Sequence, residues 1–105
     1  MVLERAQFRI VPGREDEFET AFEQARLVIA RSHGFRGATL SRGVESPSTF
    51  LLLVEWETLE DHTVGFRESE LFVEWRGLLG HLFDGAPDVE HFVQVAAVTS
   101  PAPAG

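Results

Sequence analysis

Residues 49–57, Thr49-Phe50-Leu51-Leu52-Leu53-Val54-Glu55-Trp56-Glu57, decide the fold. Phe50 to Val54 is a short, unbroken apolar run, which predicts a strand covered on both sides. Successive side chains on a strand alternate. Phe50, Leu52, Val54 and Trp56 therefore point one way, and Leu51, Leu53 and Glu55 the other.

Working upstream, Ser46-Pro47-Ser48 reads as a turn, and residues 36–44, RGATLSRGV, as a shorter glycine-containing strand. Two strands joined this closely imply an antiparallel hairpin. Before them, residues 13–32 have helical spacing: Phe18, Phe22, Ala25 and Ile29 form a stripe that Ala21 and Val28 widen. Glu15, Asp16 and Glu17 suit the positive end of that helix, Arg31 and His33 its negative end, and Gly34 a left-handed cap. Residues 2–11 alternate, with Ala6, Phe8 and Ile10 on one side and Arg5, Gln7 and Arg9 on the other; they predict a strand that Pro12-Gly13 ends.

Downstream, Thr58 to Phe83 reads as helical. Thr58 and Asp61 form a capping pair, Gly65 weakens the first piece, and Ser69 is placed to cap a second. Phe72, Trp75, Arg76, Leu79 and Phe83 follow at 3–4 spacing until Gly85-Ala86-Pro87 stops the helix. Residues 88–96 alternate as a last strand. The order is β-α-β-β-α-β, an α+β ferredoxin-like arrangement with a four-stranded antiparallel sheet and both helices on one face. A single domain spans residues 1–98. The tail, 99–105, is too poor in apolar residues to pack and is expected to be flexible.

Helices on one face leave Leu51 and Leu53 uncovered. An exposed apolar patch is uncommon on a small monomer, so a second copy packed sheet to sheet, a homodimer about a two-fold axis, is expected.

Composition narrows the chemistry. The 105 residues lack cysteine and tyrosine, and all nine basic residues are arginine. Thiolate, phenol and Schiff-base chemistry are therefore excluded. A net charge of −8 argues against a nucleic-acid or anionic-membrane partner. No apolar run is long enough to span a bilayer, and Met1-Val2-Leu3-Glu4-Arg5 does not resemble a leader, so a cytoplasmic protein is expected. No GxGxxG, P-loop or GxSxG pattern supports a nucleotide cofactor or a serine nucleophile.

Proton chemistry near neutrality falls to four histidines or a perturbed carboxylate. His62 stands four residues before Phe66. If Phe66 faces the sheet, His62 does too, either as a catalytic or ligand-orienting group or as a core-edge imidazole satisfied by a backbone carbonyl or by Asp61. His91, on the last strand, faces either the same space or the dimer seam. His33 and His81 suit helix C-termini. No HxxxH or HExxH spacing occurs, and no metal is expected, although His62, His91 and a carboxylate such as Glu55 form a conceivable set. Trp56, Phe66, Phe72, Trp75 and Phe83 are core residues or the walls of a flat aromatic pocket. Arg76 either holds an anionic oxygen or pairs with Glu70 or Glu74.

The run Val54-Glu55-Trp56-Glu57-Thr58 followed by Glu60-Asp61-His62 resembles the strand-to-helix junction of the antibiotic biosynthesis monooxygenase family. The segments FRESELFVEWRGLLGHLF and Gly85-Ala86-Pro87-Asp88-Val89-Glu90-His91-Phe92 are similar to it as well, as are Pro12-Gly13-Arg14-Glu15 and Gly34-Phe35-Arg36-Gly37. The resemblance covers about residues 2–95 and implies a dimeric α/β barrel. It also implies a monooxygenase that uses no cofactor and oxidises a quinol- or anthrone-like aromatic with O2. The catalytic residues would be His62 and Arg76. Trp56, Phe66, Phe72, Trp75, Phe83 and His91 would bind the substrate.

The chain departs from the polyketide-tailoring branch in having neither Tyr nor Asn. It departs from the haem-degrading branch in carrying Ala6, Phe66 and Arg76 near the places of that branch's Asn, Trp and His. The alternative reading is a non-catalytic, ligand-binding or stress-related dimer on the same barrel.

Overall fold

The computed structural model describes residues 1–101. Four strands, β1 (Val2–Arg9), β2 (Phe35–Arg42), β3 (Thr49–Trp56) and β4 (Asp88–Phe92), form one antiparallel sheet in the order β2-β3-β1-β4. Helix α1 (Glu15–Ile29) joins β1 to β2. A π-helical turn (Asp61–Phe66), helix α2 (Glu70–Leu79) and a 3-10 turn (Gly80–Leu82) join β3 to β4. This is the α+β ferredoxin-like arrangement, and the apolar strand quoted above lies at its centre.

Burial follows the alternation. Ala6, Phe8, Phe50, Leu52, Val54 and Trp56 are buried beneath the helices against Phe18, Ala25, Ile29, Trp75 and Leu79. Leu51 and Leu53, on the other face, are only half-buried in the single chain.

Three local readings change. Helix α1 ends at Ile29, so Arg31 and His33 lie beyond its last turn and Arg26 is the basic residue within it. In the 58–83 stretch the break at Ser69 and both caps are as expected, but the first piece, Asp61–Phe66, is π-helical. Thr58 and Asp61 cap the first reciprocally, the Thr58 amide reaching Asp61 Oδ2 at 3.2 Å and the Asp61 amide reaching Thr58 Oγ1 at 3.1 Å. Ser69 Oγ accepts from the Phe72 amide at 3.4 Å and starts the second piece. Phe83 follows the helical part with extended backbone and is opposite Ile10 in an isolated bridge.

Strand β4 stops at Phe92, where its ladder with β1 runs out at Leu3. Residues 93–100 have no regular structure, and the expected tail lies partly outside the described residues.

Gly34 fixes the entry to the π-helical turn. Its φ is +82°, a left-handed value that glycine adopts without strain, and a Cβ there would overlap the Asp61 carboxylate. Its carbonyl accepts from the Glu57 amide at 2.8 Å. Thus the α1–β2 loop, the end of β3 and the Asp61 cap are packed into one corner, and His62 is the residue after that cap.

Candidate active site

The pairing of β1 with β4 places Glu4 opposite His91, and the pairing of β1 with β3 places it opposite Val54, with Trp56 one step along the same face. All three polar side chains therefore point towards the helices. His62 descends on them from the π-helical turn. In such a turn, i→i+5 bonding makes four residues almost a full revolution, so His62 and Phe66 share the inward side, and both are buried. The Arg67 amide closes this wide turn on the His62 carbonyl at 3.0 Å.

The contacts are specific. Trp56 Nε1 donates to Glu4 Oε1 at 2.9 Å. His62 Nε2 lies 3.4 Å from the same oxygen. His62 Nδ1 and His91 Nε2 share a hydrogen bond of 2.7 Å. The indole of Trp56 stacks on the His62 ring, with centroids 5.4 Å apart and planes inclined by 21°. Glu4 and His62 are only 6% and 4% exposed.

Burial dominates the electrostatics. It raises the Glu4 pKa, against the Trp56 hydrogen bond and the Arg67 charge, which lower it. It pushes His62 down to about 4, helped by positive charge at His91 and Arg67. His91 is also lowered, by burial and by Arg67. Both imidazoles are therefore neutral at pH 7.

Beside this cluster lies a cleft of about 550 Å3, bounded by Glu4, His62, Phe66, Phe72, Trp75 and Phe83, with Arg67 and Arg76 also along it. Phe66 meets Phe72 and Trp75 edge-on, at centroid distances of 5.4 and 6.0 Å. Phe83 stacks on Phe8 at 4.9 Å. Among the described residues Arg9, Arg67 and Arg76 have no carboxylate partner, and of these Arg67 and Arg76 border the cleft; Arg5, Arg14, Arg26, Arg31, Arg36 and Arg42 are each paired. Glu74, one expected partner of Arg76, pairs instead with Arg31 at 3.3 Å.

The expected site residues thus occupy two layers. Arg76, Phe66, Phe72, Trp75 and Phe83 line the cleft with His62. Trp56 and His91 stand behind it, on Glu4 and His62. His33 and His81 are surface residues, His81 lying 3.7 Å from Glu17.

Glu55 is exposed on the opposite face of the sheet, so it does not join the two histidines; Glu4 does. Opposite nitrogens of His62 address Glu4 and His91, an arrangement that cannot converge on one metal ion. No cluster of three metal-ligating side chains occurs among the described residues. Sequence reasoning did not single out Glu4 or Arg67. The alternation that puts Ala6, Phe8 and Ile10 inside reaches Glu4 two residues earlier, and a carboxylate on an apolar face was the signal available.

The chain matches the model of the family described as antibiotic biosynthesis monooxygenase over residues 1–78. It belongs to that family. The matched segment contains Glu4, Trp56, His62, Arg67 and Arg76, while Phe83 and His91 follow it.

YczJ of Bacillus subtilis, an uncharacterized protein, is 48% identical over 95 residues, which are 90% of this chain and 100% of YczJ. A crystal structure from Bordetella bronchiseptica, named for the same family, is 41% identical with a TM-score of 0.88, over 90% of this chain and 97% of that one. Two further structural neighbours share the fold at 19% identity. SnoaB, a cofactor-independent oxygenase of Streptomyces nogalater, has a TM-score of 0.78 over 94% of this chain and 97% of its own. The ActVA-Orf6 monooxygenase of Streptomyces coelicolor, in complex with nanaomycin D, has 0.79 over 94% and 91%. Among the described residues no helix is long and apolar enough to cross a membrane.

Proposed function

We propose that this protein is a cofactor-independent monooxygenase that oxidises a small quinol- or anthrone-like aromatic with O2. The observation that carries the reading is the cleft of about 550 Å3, in which aromatic walls adjoin a buried carboxylate–imidazole pair. Flat apolar walls with a few convergent polar groups suit a planar ring system. The reaction asks the protein for little beyond deprotonation. Once the substrate is an anion, it passes electrons to O2 itself; an anthrone methylene becomes a carbonyl and the second oxygen atom leaves as water.

Phe66, Phe72, Trp75 and Phe83 hold the rings. The polar corner at His62, backed by Trp56 and His91, assists removal of the proton. Arg76 meets the negative oxygen that results, and having no carboxylate partner among the described residues leaves it available. Membership of the family and the named oxygenases among the structural neighbours support this reading.

A homodimer belongs to the same proposal. Leu3, Leu51 and Leu53 are half-buried and Phe92 is 46% exposed on the face away from the helices, an apolar strip that a second sheet would cover. Light scattering is expected to return the mass of two chains.

The function is tested with an oxygen electrode and a panel of anthrones and hydroquinones. Uptake well above the spontaneous rate is expected from the unaltered protein, and a rate near background from His62→Ala. Equal rates with and without protein would remove the oxygenase reading. Saturable binding of the same compounds without turnover would favour a ligand-binding dimer.

A further inference from the structure

We propose that Glu4 is the group that takes the substrate proton, and that His62 and His91 are positioning residues which hold its carboxylate ionised and aimed into the cleft. The inference rests on the oxygenase reading for its substrate class and on hydrogen-bond geometry for its assignment of roles.

Trp56 Nε1 can only donate, so its 2.9 Å bond makes Glu4 Oε1 an acceptor. Neutral His62 has one N–H and one lone pair. With Nε2 facing that acceptor at 3.4 Å, the favourable tautomer carries its proton on Nε2. Nδ1 is then an acceptor, and the 2.7 Å bond to His91 requires His91 Nε2 to donate. Every donor in the chain points towards Glu4, the arrangement that suits a carboxylate.

Glu4 Oε2 has no partner among the described residues. No buried side-chain oxygen among those residues is left unsatisfied, and Glu4 borders the cleft, so Oε2 opens onto it. A base must present a free lone pair to its substrate, and Oε2 is such an atom. His62, in contrast, has both nitrogens turned to protein partners. Burial also separates the two groups as bases: Glu4 is moved up towards neutrality, while His62, at about 4, is moved away from it.

The step conserves electrons. The C–H bond of an anthrone methylene breaks, the proton goes to Oε2, and the electron pair stays in the ring system as the enolate. Without O2 the same proton, or a solvent deuteron exchanged onto Glu4, returns to carbon.

The test is therefore deuterium exchange into anthrone in D2O under argon, followed by NMR. The unaltered protein is expected to exceed the buffer rate. Glu4→Gln, which keeps an acceptor for Trp56, is expected to lower the protein-dependent rate at least ~100-fold with little change in half-saturation, and Glu4→Asp to retain a measurable part. Loss of His91 frees the His62 tautomer. The groups facing Glu4 are then His62 and Arg67 from above and Trp56 from β3. His91→Ala is expected to move the acid limb of the exchange profile up by about one pH unit, and His91→Gln, which restores a donor, to return it.

A Glu4→Gln rate within about threefold of the unaltered protein overturns the proposal. So does an unaltered protein that fails to exceed buffer, whatever its oxygen uptake. Exchange without oxygen uptake would sustain Glu4 as the base while removing the oxygenase reading.

Discussion

Two neighbouring residues on β1 illustrate what the two faces of the sheet do to charge. Glu4 and Arg5 are successive, and both pair across to β4, Glu4 with His91 and Arg5 with Glu90. On the open face Arg5 forms an ion pair with Glu90 and lies 3.4 Å from Asp88, all within reach of water. Water screens such pairs, and their net worth is small. On the helix face no arginine among the described residues forms an ion pair with Glu4, although the charge of Arg67 lowers its pKa. It has an indole N–H and a neutral imidazole, and burial moves its pKa up. One face neutralises charge and leaves it inert. The other leaves a carboxylate incompletely satisfied beside a cleft, where it can take part in chemistry.

The contrast is largest in apolar packing. Leu52→Ala, beneath the helices, is expected to cost about 2–5 kcal/mol in denaturant unfolding. Leu53→Ala, one residue along on the open face, is expected to cost less at low protein concentration and to weaken the proposed dimer at higher concentration. Equal, concentration-independent losses at the two positions would mean that no second copy covers the open face.

Acid acts on the helix face through His62. His62 titrates at about 4 in the folded protein, below its usual value of 6.5, so the unfolded chain binds the proton first. Its contribution to stability is intact above 6.5 and is lost as pH falls from 6.5 towards 4. At pH 4.5 the loss is on the order of 2–3 kcal/mol relative to pH 7. Glu4 works in the opposite sense. Its raised pKa favours the folded state most below its usual value, and that share declines as pH rises through the folded value. Unfolding curves at pH 7 and 4.5 are expected to differ less in His62→Gln than in the unaltered protein; an unchanged difference would place the acid sensitivity elsewhere.

Gly34→Ala is expected to cost about 1–3 kcal/mol, because it strains a left-handed backbone and displaces the Asp61 cap above His62. Thermal unfolding would measure it, and a neutral substitution would mean that this corner yields freely. At the small end, Glu90→Gln on the open face is expected to leave the denaturant midpoint unchanged.

The sequence made the strands legible because their periodicity is local: Phe50, Leu52, Val54 and Trp56 announce a core-facing row by themselves. His62 is legible through its helical spacing from Phe66, although nothing in that spacing distinguishes the π-helical turn that carries it. Glu4 was hidden by a different cause. Its significance depends on the register that sets it opposite His91 and one step from Trp56, and register between strands about fifty and ninety residues apart is a property of the sheet as a whole. Arg67 was hidden because it follows an irregular turn, whose side-chain directions a regular period does not give.

Whether the cleft takes a planar aromatic is decided by a crystal structure of the protein soaked with anthraquinone, the oxidised form of the anthrone probe. Electron density for the flat ring system is expected between Trp75 and Phe83, in contact with Phe72 and with an edge towards Glu4 and His62. Density on the open face of the sheet, or an unliganded cleft in crystals whose ligand saturates the protein in solution, would contradict it.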